Sequence, residues 1–259
     1  MDLILVVMGA ISGLLIGLTG VGGGAIMTPI LISLGVPPLT AVGTDLWFAA
    51  VTKSVSTGFS HKSGLIDWLI LKRLWLGSLP ASFILLVFMT NMPREEGSLT
   101  FIQPLIAVMI LITAVFLAFK SLIHSTGRGL RISNESRFKF VQGPLTLISG
   151  IALGGIVTLT SIGAGAIGVV VLSYLYPLRM TSRRLVATDI AHAIPLALFA
   201  GFGHALLGNI DLRLLLNILV GSIPAVLVGS AVASRVPESV LRYFLAAVLL
   251  VVGMQLFFS

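Results

Sequence analysis

Long apolar runs broken by few charged residues dominate this chain. The uncharged runs extend from Leu3 to Thr44, Leu74 to Pro93, Gly97 to Phe119, Phe140 to Leu178, Leu214 to Ser234 and Tyr243 to Ser259. A helix needs about 20 apolar residues to cross a hydrocarbon core. The runs are continuous and lack the alternation of polar and apolar residues that is typical of spanning β-strands. We therefore predict an all-α, polytopic transmembrane helical bundle.

The second half of the chain repeats the first at a shift of 141 to 144 residues. The segment from Leu18 to Ala25 matches the segment from Leu159 to Ala166. Further matches follow in the same order: Asp45 with Asp189, His61 with His204, Asp67 with Asp211 and Pro80 with Pro224. We predict two transmembrane repeats, residues 1–120 and 141–259, joined by a basic cytoplasmic linker over residues 121–140.

Lysine and arginine positions predict that the second repeat is inverted. With a cytoplasmic linker, inverted repeats place 13 basic loop residues inside and 2 outside, whereas parallel repeats place 9 inside and 6 outside. Cytoplasmic loops carry the excess of basic residues. After Gly24 only Ala25 to Val36 precede a Pro-Pro turn, too few residues to cross. Each repeat is thus predicted as a glycine-broken helical hairpin plus three spanning helices, with both termini periplasmic.

Composition supports a lipid environment, since 57% of residues are hydrophobic, 10% are charged and the mean hydropathy is +1.11. The net charge of +7 would suggest nucleic acid in a soluble protein, but here the basic residues lie in loops. There is no cysteine, and the four histidines form no HxxxH or HExxH motif. We predict no nucleic-acid partner, no cofactor, no metal and, without GxSxG or HExxH, no enzymatic activity.

The glycine clusters predict a binding site. An unwound segment inside a membrane must be buried in protein or line a cavity, and a new helix is expected to start near Ala25 and again near Ala166. The free N–H groups and positive dipole end of such helices suit an anion. The alternative is close helix packing through the GxxxG formed by Gly20 and Gly24. The predicted substrate-binding residues are Thr19, Gly22, Gly23, Gly24, Lys53, Thr160, Gly163 and Gly165.

Four ionisable residues inside predicted spans have two interpretations each. Lys53 either binds the anion or extends to the cytoplasmic face. Asp45 and Asp189 either carry protons for coupling or serve as N-terminal caps and helix-dipole partners. His192, one turn beyond Asp189, either shares a proton with it or is a polar residue of the bundle.

Several of these residues together resemble the sulfite exporter TauE/SafE family of bacterial membrane proteins. They are the Gly20 to Gly24 run with Pro29, the Gly43-Thr44 pair, Lys53, His61, Gly64 and Asp67, and in the second half Gly163, Gly165, Thr188 and His204. The resemblance implies a permease for sulfur-containing anions such as sulfite, thiosulfate or sulfonates. Two departures are the aspartates at 45 and 189, where the family often has a small hydroxyl or amide residue, and the second glycine run without a following proline.

The combined prediction is a multi-pass inner-membrane secondary transporter that exports small sulfur-containing anions. The anion would bind at the midplane, between helix N-termini of the two repeats. Its expected partners are the anion, the lipid bilayer and protons as a candidate coupling ion, while a monomer and a homodimer remain equally open. The alternatives are an anion channel and a membrane assembly subunit that does not transport.

Overall fold

The computed structural model describes residues 2–19, 24–60, 64–91, 102–133, 135–163, 165–233 and 236–258. These residues form eleven α-helices and no strand: α1 (Leu3–Thr19), α2 (Gly24–Ser33), α3 (Pro38–Ser60), α4 (Trp68–Thr90), α5 (Ile102–Ala118), α6 (Lys120–Ser133), α7 (Glu135–Thr160), α8 (Ile167–Leu175), α9 (Ser182–Leu206), α10 (Leu212–Val232) and α11 (Glu238–Phe258). The all-α prediction is confirmed.

Helix length and composition identify the membrane spans. Among the described residues, α4, α7, α9, α10 and α11 are each long and apolar enough to cross a bilayer. α5 and α6 qualify together as one broken span, bent by 64° where they meet. α1 is a shorter apolar helix, and α2 and α8 have only 10 and 9 residues. The chain is thus a multi-pass α-helical membrane protein.

The two halves of the chain have the same order of helices and pack reciprocally. α1 to α5 and α7 to α11 both run as a long helix, a short one and three further long ones. α1 of the first half packs along α10 of the second, and α7 packs along α4. α3 crosses α9, and α5 packs against α11. The first helix of each half is therefore held by the other half, and the halves are intertwined.

Glycines at four-residue spacing allow α1 to lie directly on α10. Gly9, Gly13 and Gly17 face the backbone of α10, and an ideal Cβ on Gly13 would lie 2.7 Å from Cα of Ser222. Only small residues permit such an approach between membrane helices. The predicted GxxxG alternative lay at Gly20 and Gly24, and this earlier run was not predicted. The spacing Gly9-Gly13-Gly17 was the signal that could have identified it.

The basic segment between the halves is helical. Residues 121–140, predicted as a linker, form most of α6 and the start of α7. α6 packs against α8, where an ideal Cβ on Gly127 would lie 3.0 Å from Cα of Tyr174. The linker is thus fixed against the short helix of the second half, next to the interior of the bundle.

Candidate functional site

Four ionisable side chains are buried where α3 crosses α9. Asp45, Asp189 and His192 have 0% of their surface exposed and Lys53 has 2%. The charge of Lys53 interacts with both carboxylates and with the imidazole. We call these four residues the buried polar cluster. Lys53 does not reach the surface, so the prediction that it extends to the cytoplasmic face is wrong. The carboxylates on the two halves offer it partners in the interior.

Neither aspartate of the cluster caps its own helix. α3 begins at Pro38 and α9 at Ser182, so Asp45 and Asp189 each lie seven residues further along. The cap of α9 is Thr181, whose hydroxyl accepts a hydrogen bond from the Arg184 N–H at 3.4 Å. The capping alternative is therefore wrong for both aspartates. The residues that do cap are Asp67 for α4 and Asp211 for α10, through hydrogen bonds of 3.3 and 2.9 Å.

Asp45 connects both short-helix regions of the chain. The Thr28 hydroxyl on α2 donates a hydrogen bond of 2.5 Å to Oδ2 of Asp45. The Ser161 hydroxyl, which follows the end of α7, faces the same carboxylate without completing a hydrogen bond. The carboxylate of Asp45 thus lies between α2 and the segment that leads into α8.

Asp189 lies directly against the start of α8. A Cβ on Gly168, the second residue of that helix, would overlap Oδ1 of Asp189. Glycine at this position is therefore what lets the carboxylate approach the helix backbone. Within the described part of the chain, neither carboxylate oxygen has a hydrogen-bond partner. Nε2 of His192 lies 2.9 Å from the Ser78 hydroxyl on α4, so His192 bonds to α4 rather than to Asp189.

The second glycine break has an irregular backbone. Ser161, Gly163 and Gly165 have φ of +59°, +114° and +119°, and α8 starts at Ile167, one residue beyond the predicted Ala166. No side chain caps α8 at Ala166. The Thr160 hydroxyl donates to the Ile156 carbonyl at 2.7 Å and accepts from the Ile162 N–H at 3.2 Å. The Thr160 hydroxyl thus stabilises the end of α7, and its single hydrogen is already donated there.

The first glycine break lies mostly outside the described residues. Gly22 and Gly23 fall there, whereas Thr19 is the last residue of α1 and Gly24 is the first of α2. The predicted start of this short helix at Ala25 was therefore one residue late. Of the remaining predicted binding residues, Lys53 lies on α3 and Thr160 is the last residue of α7. Gly163 and Gly165 lie in the segment between α7 and α8.

Known proteins match this chain over nearly its full length. The model of the family described as "Sulfite exporter TauE/SafE" matches residues 5–256. The chain belongs to this family. Its relatives include the probable membrane transporter protein YjnA of Bacillus subtilis, 35% identical over 99% of this chain and 100% of YjnA. Two others are 28% and 25% identical, from B. subtilis (YdhB; 95% of this chain, 96% of YdhB) and Haemophilus influenzae (98% and 97%). No solved structure matches significantly.

Hydrogen bonds between the halves flank the buried polar cluster in this TauE/SafE family member. The Asp67 N–H donates to the Thr188 hydroxyl at 3.0 Å, and the Asp211 N–H donates to the Thr44 hydroxyl at 3.1 Å. Thr188 and Thr44 directly precede the two buried aspartates. The symmetry is broken at Arg179, which contacts Asp67 through Nε at 2.7 Å and through its NH2 group at 3.0 Å. This ion pair fixes the α8–α9 turn to the start of α4.

Ser161 is predicted to destabilise the fold. A non-glycine residue in the left-handed region is strained by about 1–2 kcal/mol, and the first half has Gly20 at the matching position. Ser161→Gly is expected to stabilise the protein by about 1 kcal/mol, seen as a higher midpoint of thermal unfolding in detergent. The control is Ser161→Ala, which removes the hydroxyl but retains the strain. A Gly variant no more stable than wild type would show that the backbone here is unstrained.

Proposed function

We propose that this TauE/SafE transporter exports small sulfur-containing anions, such as sulfite, thiosulfate or sulfonates, across the inner membrane as a secondary transporter. The family description supports the substrate class, and a short helix that begins inside the bundle supports an anion site. The observation that supports the site most directly is the buried start of α8, which no side chain caps.

α8 is too short to cross a membrane. Its nine residues extend for roughly 14 Å, about half of a hydrocarbon core of ~30 Å. Its first residues are buried, with Ile167 at 7% exposure and Val169 at 2%. A helix that begins inside the protein presents its positive dipole end to the interior. Of the first N–H groups of α8, that of Gly168 already donates to the Gly163 carbonyl at 3.1 Å. Such a terminus binds an anion without needing a basic side chain.

Both short helices approach the same place. Thr28 lies in the second turn of α2, Ser161 lies between α7 and α8, and both side chains face Asp45. α2 and the segment between α7 and α8 are therefore joined through one buried carboxylate. This supports a single anion site between the halves, as expected for repeats that meet at the midplane of a transporter.

The charges of the cluster favour protons as the coupling ion. Two buried carboxylates face one buried ammonium, so a fully ionised cluster would carry a net negative charge and would repel an anion. A proton on one aspartate removes this repulsion. Asp45 and Asp189 are accordingly the two candidates for the proton carrier.

Ligand-dependent thermal stability tests the anion site. Purified protein is expected to unfold at a higher temperature with thiosulfate, sulfite or ethanesulfonate than with equal concentrations of chloride. Gly23→Val should abolish this shift, since a bulky residue blocks close approach to the backbone, and Thr19→Val should weaken binding by about 0.5–1.5 kcal/mol. Gly155→Val is the control, because a Cβ there meets nothing within 4 Å. A Gly23→Val protein that folds and binds normally would rule out the site.

Cysteine labelling tests the proposed orientation. The chain has no cysteine, so single cysteines can be placed at the exposed Ser125 of α6 and at Ser259. We expect an impermeant reagent to label position 125 from the cytoplasmic side only and position 259 from the periplasmic side only. Both sites reacting from one side would contradict the inverted arrangement of the halves.

A further inference from the structure

We propose that Asp189 occupies the anion position at the start of α8 when no substrate is bound, so that binding of an anion requires uptake of one proton by Asp189. This inference rests on the anion site proposed above and specifies its ligand. The ligand is an anion together with a proton, rather than an anion alone.

The contact between Asp189 and Gly168 places the carboxylate beside the first turn of α8, where the Gly168 N–H itself donates to the Gly163 carbonyl at 3.1 Å. Oδ1 lies against the second residue of α8, at a helix terminus that has no side-chain cap. The side chain is 0% exposed and neither oxygen has a hydrogen-bond partner in the described ranges. The internal carboxylate thus complements the helix terminus in place of an external anion, without hydrogen bonds that would hold it there.

Repulsion between two anions makes them exclude each other. Two unit charges about 4 Å apart at an effective dielectric constant of about 20 would weaken binding by roughly a thousandfold. Protonation of Asp189 converts its carboxylate into a carboxylic acid and removes this repulsion. The proton comes from solvent and forms an O–H bond on the carboxyl group, while the anion takes the place beside the helix terminus.

Few other titratable groups could take up the proton in place of Asp189. The helices that pack against α9 are α3, α4, α7 and α8. α3 contributes Asp45 and Lys53, and the charge of Lys53 is the one that acts on Asp189. The remaining titratable groups described on these helices and on α9 are Lys72, Arg73, Lys139, Tyr174, Tyr176 beside α8, Arg183, Arg184, His192 and His204. Of these, His192 is hydrogen-bonded to Ser78, and His204 to the Thr158 carbonyl at 2.8 Å.

Asp45 differs from Asp189 although the two occupy matching positions. The Thr28 hydroxyl donates a hydrogen bond to Asp45, and such a bond stabilises the ionised form. The matching position on α8 is Val169, which cannot donate to Asp189. Lys53 acts on both carboxylates, so the hydrogen bond from Thr28 is the difference: Asp45 is assigned as the carboxylate that stays ionised, and Asp189 as the group whose protonation follows binding.

Calorimetry measures the proton directly. Anion binding to the purified protein is titrated in Tris and in imidazole, which lack the sulfonate groups of many buffers, and the difference in heat reports protons taken from the buffer. The probes are thiosulfate and ethanesulfonate, both fully ionised near neutrality. Wild-type protein is expected to take up about one proton per anion, and its affinity should fall with rising pH by up to about tenfold per pH unit.

Three variants assign the proton to one residue. Asp189→Asn mimics the protonated side chain, so it should bind the anion without proton uptake and with an affinity independent of pH. Asp45→Asn should still take up a proton, and the exposed cap variant Asp211→Asn should behave as wild type. Uptake that persists in Asp189→Asn, or that disappears in Asp45→Asn, would overturn the assignment.

Titrations of the wild-type protein alone can also overturn the inference. Anion binding with no proton uptake and no dependence on pH would overturn the inference and leave the proposed function intact. Failure of every sulfur-containing anion to bind would refute the site itself, and with it the inference. If Asp189→Asn does not fold, the wild-type titrations in the two buffers remain a complete test.

Discussion

Replacing Gly13 with leucine is expected to prevent α1 from packing on α10 and to eliminate folded protein. An ideal Cβ at this position would lie 2.7 Å from Cα of Ser222 and closer still to the Ser222 carbonyl oxygen. These are backbone atoms of the facing helix, so no rotamer change relieves the overlap and the two helices must separate. Overpacking usually costs about 1–3 kcal/mol where side chains can adjust. The loss here should exceed that range, because the contact continues along both helices.

The measurement is the yield of monodisperse protein in detergent and its midpoint of thermal unfolding. Gly155→Leu is the matched control, since Gly155 also lies in a membrane helix but has open space where its Cβ would be. Gly13→Leu should lose the monodisperse peak, while Gly155→Leu should retain it. Equal yields and midpoints for the two variants would contradict the close α1–α10 packing.

Features that repeat along the sequence could be predicted well. The short second helix of each half follows from the distance between the glycine cluster and the next turn, and both were placed to within one residue at their starts. The intertwined packing of α1 on α10 and α7 on α4 could not be derived in this way. It depends on which helix faces lie together between helices distant in the sequence, and the glycine spacing indicates only that some partner exists.

The residues of the candidate site could be proposed from the sequence, but their arrangement in space could not. Asp45 and Asp189 stood out as acidic residues in matching positions, yet capping remained open because the starts of α3 and α9 were not fixed. Pro38 was a usable signal, since proline favours the first turn of a helix, and it places Asp45 two turns inside. The contact of Asp189 with Gly168 had no signal in the sequence, because it joins helices through tertiary packing.

The ion pair between Arg179 and Asp67 should be the most important single charge contact at the edge of the bundle. Asp67 is 4% exposed and Arg179 is 49% exposed, and the guanidinium contacts both carboxylate oxygens. Removing the arginine leaves a buried carboxylate without its counter-charge, which typically costs about 3–5 kcal/mol. Because Arg179 is half exposed, water should compensate in part. We expect Arg179→Ala to destabilise the protein by about 3 kcal/mol.

A double-mutant cycle separates this charge effect from lost packing. Asp67→Asn retains an oxygen that can cap α4 and removes the buried charge, so Arg179→Ala combined with Asp67→Asn should be more stable than Arg179→Ala alone. Arg183→Ala, which removes an exposed arginine from the same region, serves as the charge-matched control and should change stability by less than about 0.5 kcal/mol. Denaturant-dependent or thermal unfolding in one detergent gives the stability of each of these variants and of the wild type.

Additive effects of the two substitutions would mean that Arg179 stabilises the turn without compensating Asp67. Coupling between them would show that this ion pair stabilises the contact between the start of α4 and the α8–α9 turn, and so joins the two halves.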